Sequence, residues 1–172
     1  MFEGVSHPDD VRIETGAGAP IEDVAIEDLL QSAYVEGGFT SPEQATSMFA
    51  ARSVRARGEL LVARDPADGH LVGMVLVVPP TSSARRMAEP DEAEMQLLAV
   101  SPERQGHGVG TALVRAALAT AKRLGYPRMV LWTQPTMLAA QRLYIAEGFV
   151  RAPERDFDRA DGRSFLVFTR SR

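Results

Sequence analysis

Three glycines at alternate positions, Gly106, Gly108 and Gly110, stand between a short apolar run and an apolar pattern at helical spacing. The run is Met95 to Val100, and a turn signal, Ser101-Pro102-Glu103, separates it from the glycines. The first turn of a helix leaves backbone N–H groups without intrahelical partners, and the helix dipole adds partial positive charge there. Residues without Cβ atoms let a large anion come close to such a backbone. Gln105-Gly106-His107-Gly108-Val109-Gly110-Thr111 therefore reads as an anion cradle, and spacing alone leaves a plain glycine-rich turn open as the alternative.

Two well-known phosphate loops fit poorly. The Walker pattern ends in Gly-Lys-Ser/Thr, and no lysine stands before Thr111. The dinucleotide fingerprint is G-x-G-x-x-G near the start of a βαβ unit, whereas the spacing here is G-x-G-x-G, deep in the chain.

The pattern resembles the pyrophosphate loop of the GNAT superfamily of acyl-CoA-dependent N-acetyltransferases, Gln/Arg-x-x-Gly-x-Gly/Ala, at Gln105, Gly108 and Gly110. A second match lies downstream, where Ala140-Gln141-Arg142-Leu143-Tyr144 and Gly148-Phe149 look like the family's A-x-x-L-Y-x-x-x-G-F signature. Two motifs in the right order are far more specific than either alone. The resemblance implies a mixed α/β fold: a central, mostly antiparallel sheet, helices on both faces, and a parallel pair splayed at the cofactor cleft. It also implies acetyl-CoA as cosubstrate and an amine as acceptor.

Acetyl transfer from a thioester to an amine needs a neutral amine, a stabilised carbonyl oxygen and a protonated leaving thiolate. By the resemblance, backbone groups of Leu98, Ala99 and Val100 hold the thioester arm, with the Leu98 N–H toward the acetyl oxygen. Gln105 to Thr111 hold the diphosphate, and Met137 and Ala140 border the arm. Tyr144 matches the family's general acid for the departing sulfur, and a phenol with an ordinary pKa near ~10 keeps its proton at neutral pH. A core tyrosine with a satisfied hydroxyl is the alternative. Glu94 occupies the position of the family's glutamate base, with water alone as the alternative. Met137 stands where the family often has an asparagine, and a thioether cannot replace an amide's hydrogen bonds. A non-catalytic acyl-CoA-binding domain is the rival class, and an unrelated nucleotide-binding α/β protein a third reading.

These groups must be positioned by a run of elements. Arg12 to Thr15 reads as a first strand, and Pro20 to Asp23 as the start of a helix ended by Gly37-Gly38. Ser41-Pro42 opens a second helix that runs to about Arg57, with Gly58 as its stop. Glu59 to Arg64 and Leu71 to Val78 read as strands, the second apolar enough to be covered on both faces. Thr81 to Asp91 is a polar connection, with solvent or the acceptor site beside it. Glu92 to Val100 is the central strand, with Glu92 expected in solvent; the helix after the glycines ends at Gly125. Arg128 to Thr133 is a strand parallel to it, with Trp132 read as core, and Met137 to Glu147 is a helix. Phe149 to Ala152 and Phe165 to Thr169 read as a late hairpin.

Composition sets the remaining bounds. The 172 residues suit one domain, 1–172, with 1–11 as a flexible end. No cysteine is present, which removes disulfides, thiolate metal sites and a cysteine nucleophile, so attack would be direct in a ternary complex. Three scattered histidines give no expectation of a metal. The net charge of −4 argues against nucleic acid or an anionic membrane as partner, and favours a cationic or amine acceptor. No signal peptide or spanning run is seen, so a cytoplasmic protein is expected. Eighteen of the 19 basic residues are arginine, the bias of a GC-rich bacterial genome. A homodimer is the oligomer common in the family.

Overall fold

The computed structural model describes residues 11–16 and 20–171. Of the end expected to be flexible, residues 1–10 lie outside the described residues; Val11 packs against the core. The strands are β1 (Arg12–Thr15), β2 (Glu59–Arg64), β3 (Leu71–Val78), β4 (Glu92–Val100), β5 (Arg128–Thr133), β6 (Val150–Arg151), β7 (Phe157–Asp158) and β8 (Ser164–Ser171). They form one sheet in the order β1-β2-β3-β4-β5-β8-β6, with β7 paired to β8. Every pairing is antiparallel except β4 with β5.

Helices cover both faces. One carries α1 (Asp23–Leu30), α2 (Pro42–Met48) and α3 (Ala51–Arg57), whose Ile26, Leu30 and Val54 pack with Val62, Met74 and Leu76 of the sheet. The other carries α4 (Val109–Arg123) and α5 (Leu138–Ala146), where Leu113, Val114 and Ala117 meet Leu61, Val75 and Val77. Alternate residues of β2 and β3 thus feed opposite cores, as the pleat requires. Gly73 lies under α4: a Cβ there would stand 2.8 Å from the Leu113 side chain and 3.2 Å from the Ala99 carbonyl oxygen.

Two local expectations are corrected and a third holds. The first helix does not run unbroken to Gly37; after Leu30 it widens into a π-helical turn, Gln31–Glu36, which turns Tyr34 toward β4. The second helix is two, because the chain bends at Phe49-Ala50 to bury Phe49 in the core; Ser41 caps the first piece by accepting from the Gln44 amide at 3.4 Å. The late hairpin holds, as β6 against β8, and the connection between them contributes a further short strand, β7.

Glu92 is the clearest correction, since it is fully buried. Arg155 donates to both of its oxygens at 2.9 Å, and the Glu89 amide donates to Oε2 at 2.9 Å. Burial pushes its pKa up, but the bonds from Arg155 and the Glu89 amide, with the charge of Arg128, outweigh burial and hold it below the usual carboxylate range. A depressed pKa stabilises the fold above the unfolded value, near ~4.3, and that stability is lost as pH falls through the folded value. Arg155→Ala leaves a buried carboxylate without its main partner and is expected to cost about 3 kcal/mol, read by urea unfolding at pH 7. The deficit should shrink as pH is lowered toward 4, and a deficit independent of pH would contradict the pairing.

Candidate active site

The site exists because β4 and β5 part. Their parallel ladder holds for Glu92–Arg128, Ala93–Met129 and Glu94–Val130, and then stops. β4 continues to Val100 and β5 to Thr133, so a groove opens between Met95–Val100 and Leu131–Thr133. On its other side β4 carries a bulge: Met74 and Leu76 of β3 face Ala99 and Gln96, which leaves Leu97 and Leu98 without register partners. Leu97 sits at φ 51°, a left-handed conformation costly for a leucine, and the strand turns there. Tyr34 Oη donates to the Leu98 carbonyl at 2.8 Å and fixes the bulge from above.

The groove has two lobes that meet at Tyr34, Leu98, Met137 and Ala140. In the first, Leu98, Ala99 and Val100 form one wall and Met137, Ala140 and Leu143 the other. Gln105, Gly106, Gly108, Gly110 and Thr111 form its rim. Gly106 (φ 78°) and Gly108 (φ 81°) are left-handed, which aims successive amides outward, and Gly108 begins α4 with no side-chain cap. Among the described residues no backbone carbonyl takes the amides of Gly106 to Thr111. Arg104 joins this rim; its Nε and one Nη are buried without partners, while Nη1 lies 3.4 Å from Asp65. Unpaired amides, an uncapped helix start and spare guanidinium donors suit a diphosphate in the way the cradle requires.

Two residues of the predicted loop stay out of the groove. Val109 is buried beneath α4 in the core, and His107 is exposed with Nδ1 3.0 Å from the Gln105 carbonyl oxygen.

The second lobe runs from Gln96–Leu98 and Tyr144 to Trp132 and a group of arginines. Tyr144 packs edge-on against Phe149, with centroids 6.0 Å apart, and its hydroxyl has no protein partner among the described residues. Burial raises its pKa well above the ordinary phenol value, so it is protonated throughout the working range. Met137 Sδ accepts from Thr133 Oγ1 at 3.3 Å, which uses the weak acceptor that replaced an amide. Trp132 is half-buried: it packs against the small core of Ala88, Val130, Ala152 and Val167, with Phe157 at 6.4 Å, and also lines this lobe.

Glu94 is brought to neither lobe. It is fully buried, and its Oε1 accepts from the amides of Arg86 (2.9 Å), Met87 (2.5 Å) and Ala88 (2.7 Å), while Oε2 accepts from Gln96 Nε2 at 2.7 Å. With four donors on it, the carboxylate works as an anchor for the 81–91 arc. Sequence reasoning missed Tyr34, Arg104 and the arginines of the second lobe. Tyr34 carried no signal, because only the π-helical turn brings it to β4.

A sequence model of the Acetyltransferase (GNAT) family matches residues 24–149. The chain belongs to the GNAT acetyltransferase family. No curated protein matches it significantly. Among solved structures, a GNAT-family protein from Desulfovibrio desulfuricans superposes with a TM-score of 0.72 at 17% identity, covering 94% of this chain and 99% of that one. A Bacillus subtilis acetyltransferase in complex with CoA gives 0.66 at 21% identity, covering 95% and 99%. A GNAT acetyltransferase from Elizabethkingia anophelis with acetyl-CoA bound gives 0.63 at 19%, covering 95% and 99%. At these identities the likeness speaks for the fold, a mixed sheet with a GNAT-type parallel pair.

If Glu94 anchors the arc, Glu94→Ala should weaken acceptor binding and cost about 2 kcal/mol in stability, since three amides lose a charged acceptor. Acetyl-CoA affinity should be unchanged, and kcat at saturating acceptor should fall little. A collapse of kcat with unaltered acceptor KM would instead make Glu94 the base.

Proposed function

We propose that this GNAT-family protein moves the acetyl group of acetyl-CoA to a primary amine by direct attack in a ternary complex. The observation that carries the reading is one continuous groove: at one end the unpaired amides of Gly106–Thr111, at the junction the bulge at Leu98, and beside it the unpartnered hydroxyl of Tyr144.

The roles follow from what each group can do. The loop amides and Arg104 bind the diphosphate and so fix the reach of the thioester arm along β4. The Leu98 N–H, outside the β3 and β5 registers, stabilises negative charge as it develops on the acetyl oxygen. Tyr144, kept protonated by burial, gives its proton to the departing sulfur. Among the described residues no carboxylate or imidazole lines either lobe, which favours loss of the acceptor's ammonium proton to water before attack.

Acetyl-CoA should raise the melting temperature, with about 2.7 kcal/mol of stabilisation at a hundredfold excess over Kd, and ATP should do far less. Thiol release should then appear with a suitable amine. Binding without thiol release from any amine would make the protein an acyl-CoA-binding module.

Tyr144→Phe should lower kcat about 100-fold with little change in CoA affinity. In the wild type, kcat/KM should rise with pH until the acceptor amine is neutral. It should not fall again near the ordinary phenol pKa, because the Tyr144 value lies above it. An unchanged kcat in Tyr144→Phe would remove the acid from the scheme.

A further inference from the structure

The second lobe contradicts the net charge of the chain. The sequence carries −4 overall, yet Arg57, Arg86, Arg159 and Arg163 line this lobe and, among the described residues, no aspartate or glutamate does. They come from separate elements: the last turn of α3, the 81–91 arc, and the chain between β7 and β8. Arg163 is neutralised by Asp161, with Nη2 at 2.7 Å and Nε at 3.0 Å. The other three have no carboxylate within 4.0 Å among the described residues. Arg57 spends one Nη2 bond on the Met48 carbonyl, and Arg159 lies over the Phe165 ring, 4.7 Å from its centroid.

Four arginines elsewhere in the chain behave differently. Arg115, Arg128, Arg151 and Arg155 each bond a carboxylate that raises the pKa. Arg57 and Arg159 are both lowered, first by burial and then by the charge of Arg86; at Arg159 the charge of Arg163 adds to the effect and that of Asp161 opposes it without reversing it. Gathering like charges, two of them half-buried, with no bonded carboxylate among the described residues costs free energy that an anionic ligand would offset. Guanidinium forks are suited to carboxylate and phosphate oxygens.

We infer that the acceptor is a small amine carrying an oxyanion, a carboxylate or a phosphate ester, held by Arg57, Arg86 and Arg159 while its amino group lies toward Leu98 and Tyr144. This rests on the transferase reading above and narrows it. It also reverses the cationic acceptor that the acidic composition favours: the field inside a cleft is set by its lining, not by the whole chain. The buried Glu94 has a part in this, because the amide of Arg86 is one of the three it holds.

Matched acceptors test the inference. O-phosphoethanolamine against ethanolamine, and β-alanine against n-propylamine, differ chiefly in the anionic group. With acetyl-CoA, kcat/KM should be at least tenfold higher for the anionic member of one pair, and which pair shows it separates phosphate from carboxylate. Arg159→Gln and Arg57→Gln should each erase most of that preference and leave acetyl-CoA affinity unchanged. Equal or better use of the neutral members, or of putrescine, overturns the inference and leaves the transferase reading intact. Binding is read separately, as the thermal shift of the CoA-saturated protein with the same four compounds. If no amine gives thiol release, yet an anionic compound stabilises the wild type and not Arg159→Gln, the anion site stands and the transferase reading falls. If no anionic compound shifts the wild type more than its neutral partner, the anion site is overturned, whatever the turnover.

Discussion

The interruption of the β4–β5 ladder after Glu94 and Val130 is the constraint on which everything else depends. A sheet interior satisfies its backbone polar groups through its neighbours, and a strand that leaves its partner must find others. Here β4 loses β5 on one side and, through the bulge at Leu97–Leu98, loses regular register with β3 on the other. Two carbonyls of this stretch are used internally, that of Leu98 by Tyr34 and that of Val100 by the Gln105 side-chain amide at 3.3 Å. The rest of that edge faces a groove whose mouth is the α4 start, another place where amides lack partners. An extended ligand with an anionic end satisfies both sets together.

The opposite end of β4 is held by buried acids. Glu92, Glu94 and Gln96 alternate along one face of the strand, and none reaches solvent freely. Each ties down a different segment: Glu92 holds Arg155, Glu94 holds the amides of residues 86–88, and Gln96 bonds the Ala84 carbonyl at 3.2 Å. A polar stripe inside an apolar sheet is costly unless its donors and acceptors are matched, and here they are matched by loops rather than by strands. The result is that residues with no regular secondary structure are fixed against the most rigid strand of the molecule, and the arginines they carry are fixed with them.

Much of this was legible in the sequence. The glycine loop at the groove's rim was legible from its local backbone chemistry, whereas Tyr144 was reached only through the resemblance carried by the LY…GF pattern. The central strands were legible from their apolar runs, and Leu71–Val78 buries all but its first residue, Glu92–Val100 its first five. What escaped depends on tertiary contact. Glu94 reads as a base until the arc is seen folding back to occupy it, and Glu92 reads as exposed until Arg155 arrives from 63 residues away. The split at Phe49 follows from one ring seeking the core, which periodicity cannot show. The arginine group is built from positions 57, 86 and 159, which are adjacent only after folding.

The central claim is that main-chain amides, rather than side chains, grip the diphosphate. Backbone amide resonances of isotope-labelled protein, followed during titration with acetyl-CoA, address it directly. The account predicts large, saturating shifts for Gly106, Gly108, Gly110 and Thr111, and none for Gly69 in the β2–β3 turn. Acetyl-CoA that binds while the 106–111 amides stay still would contradict it.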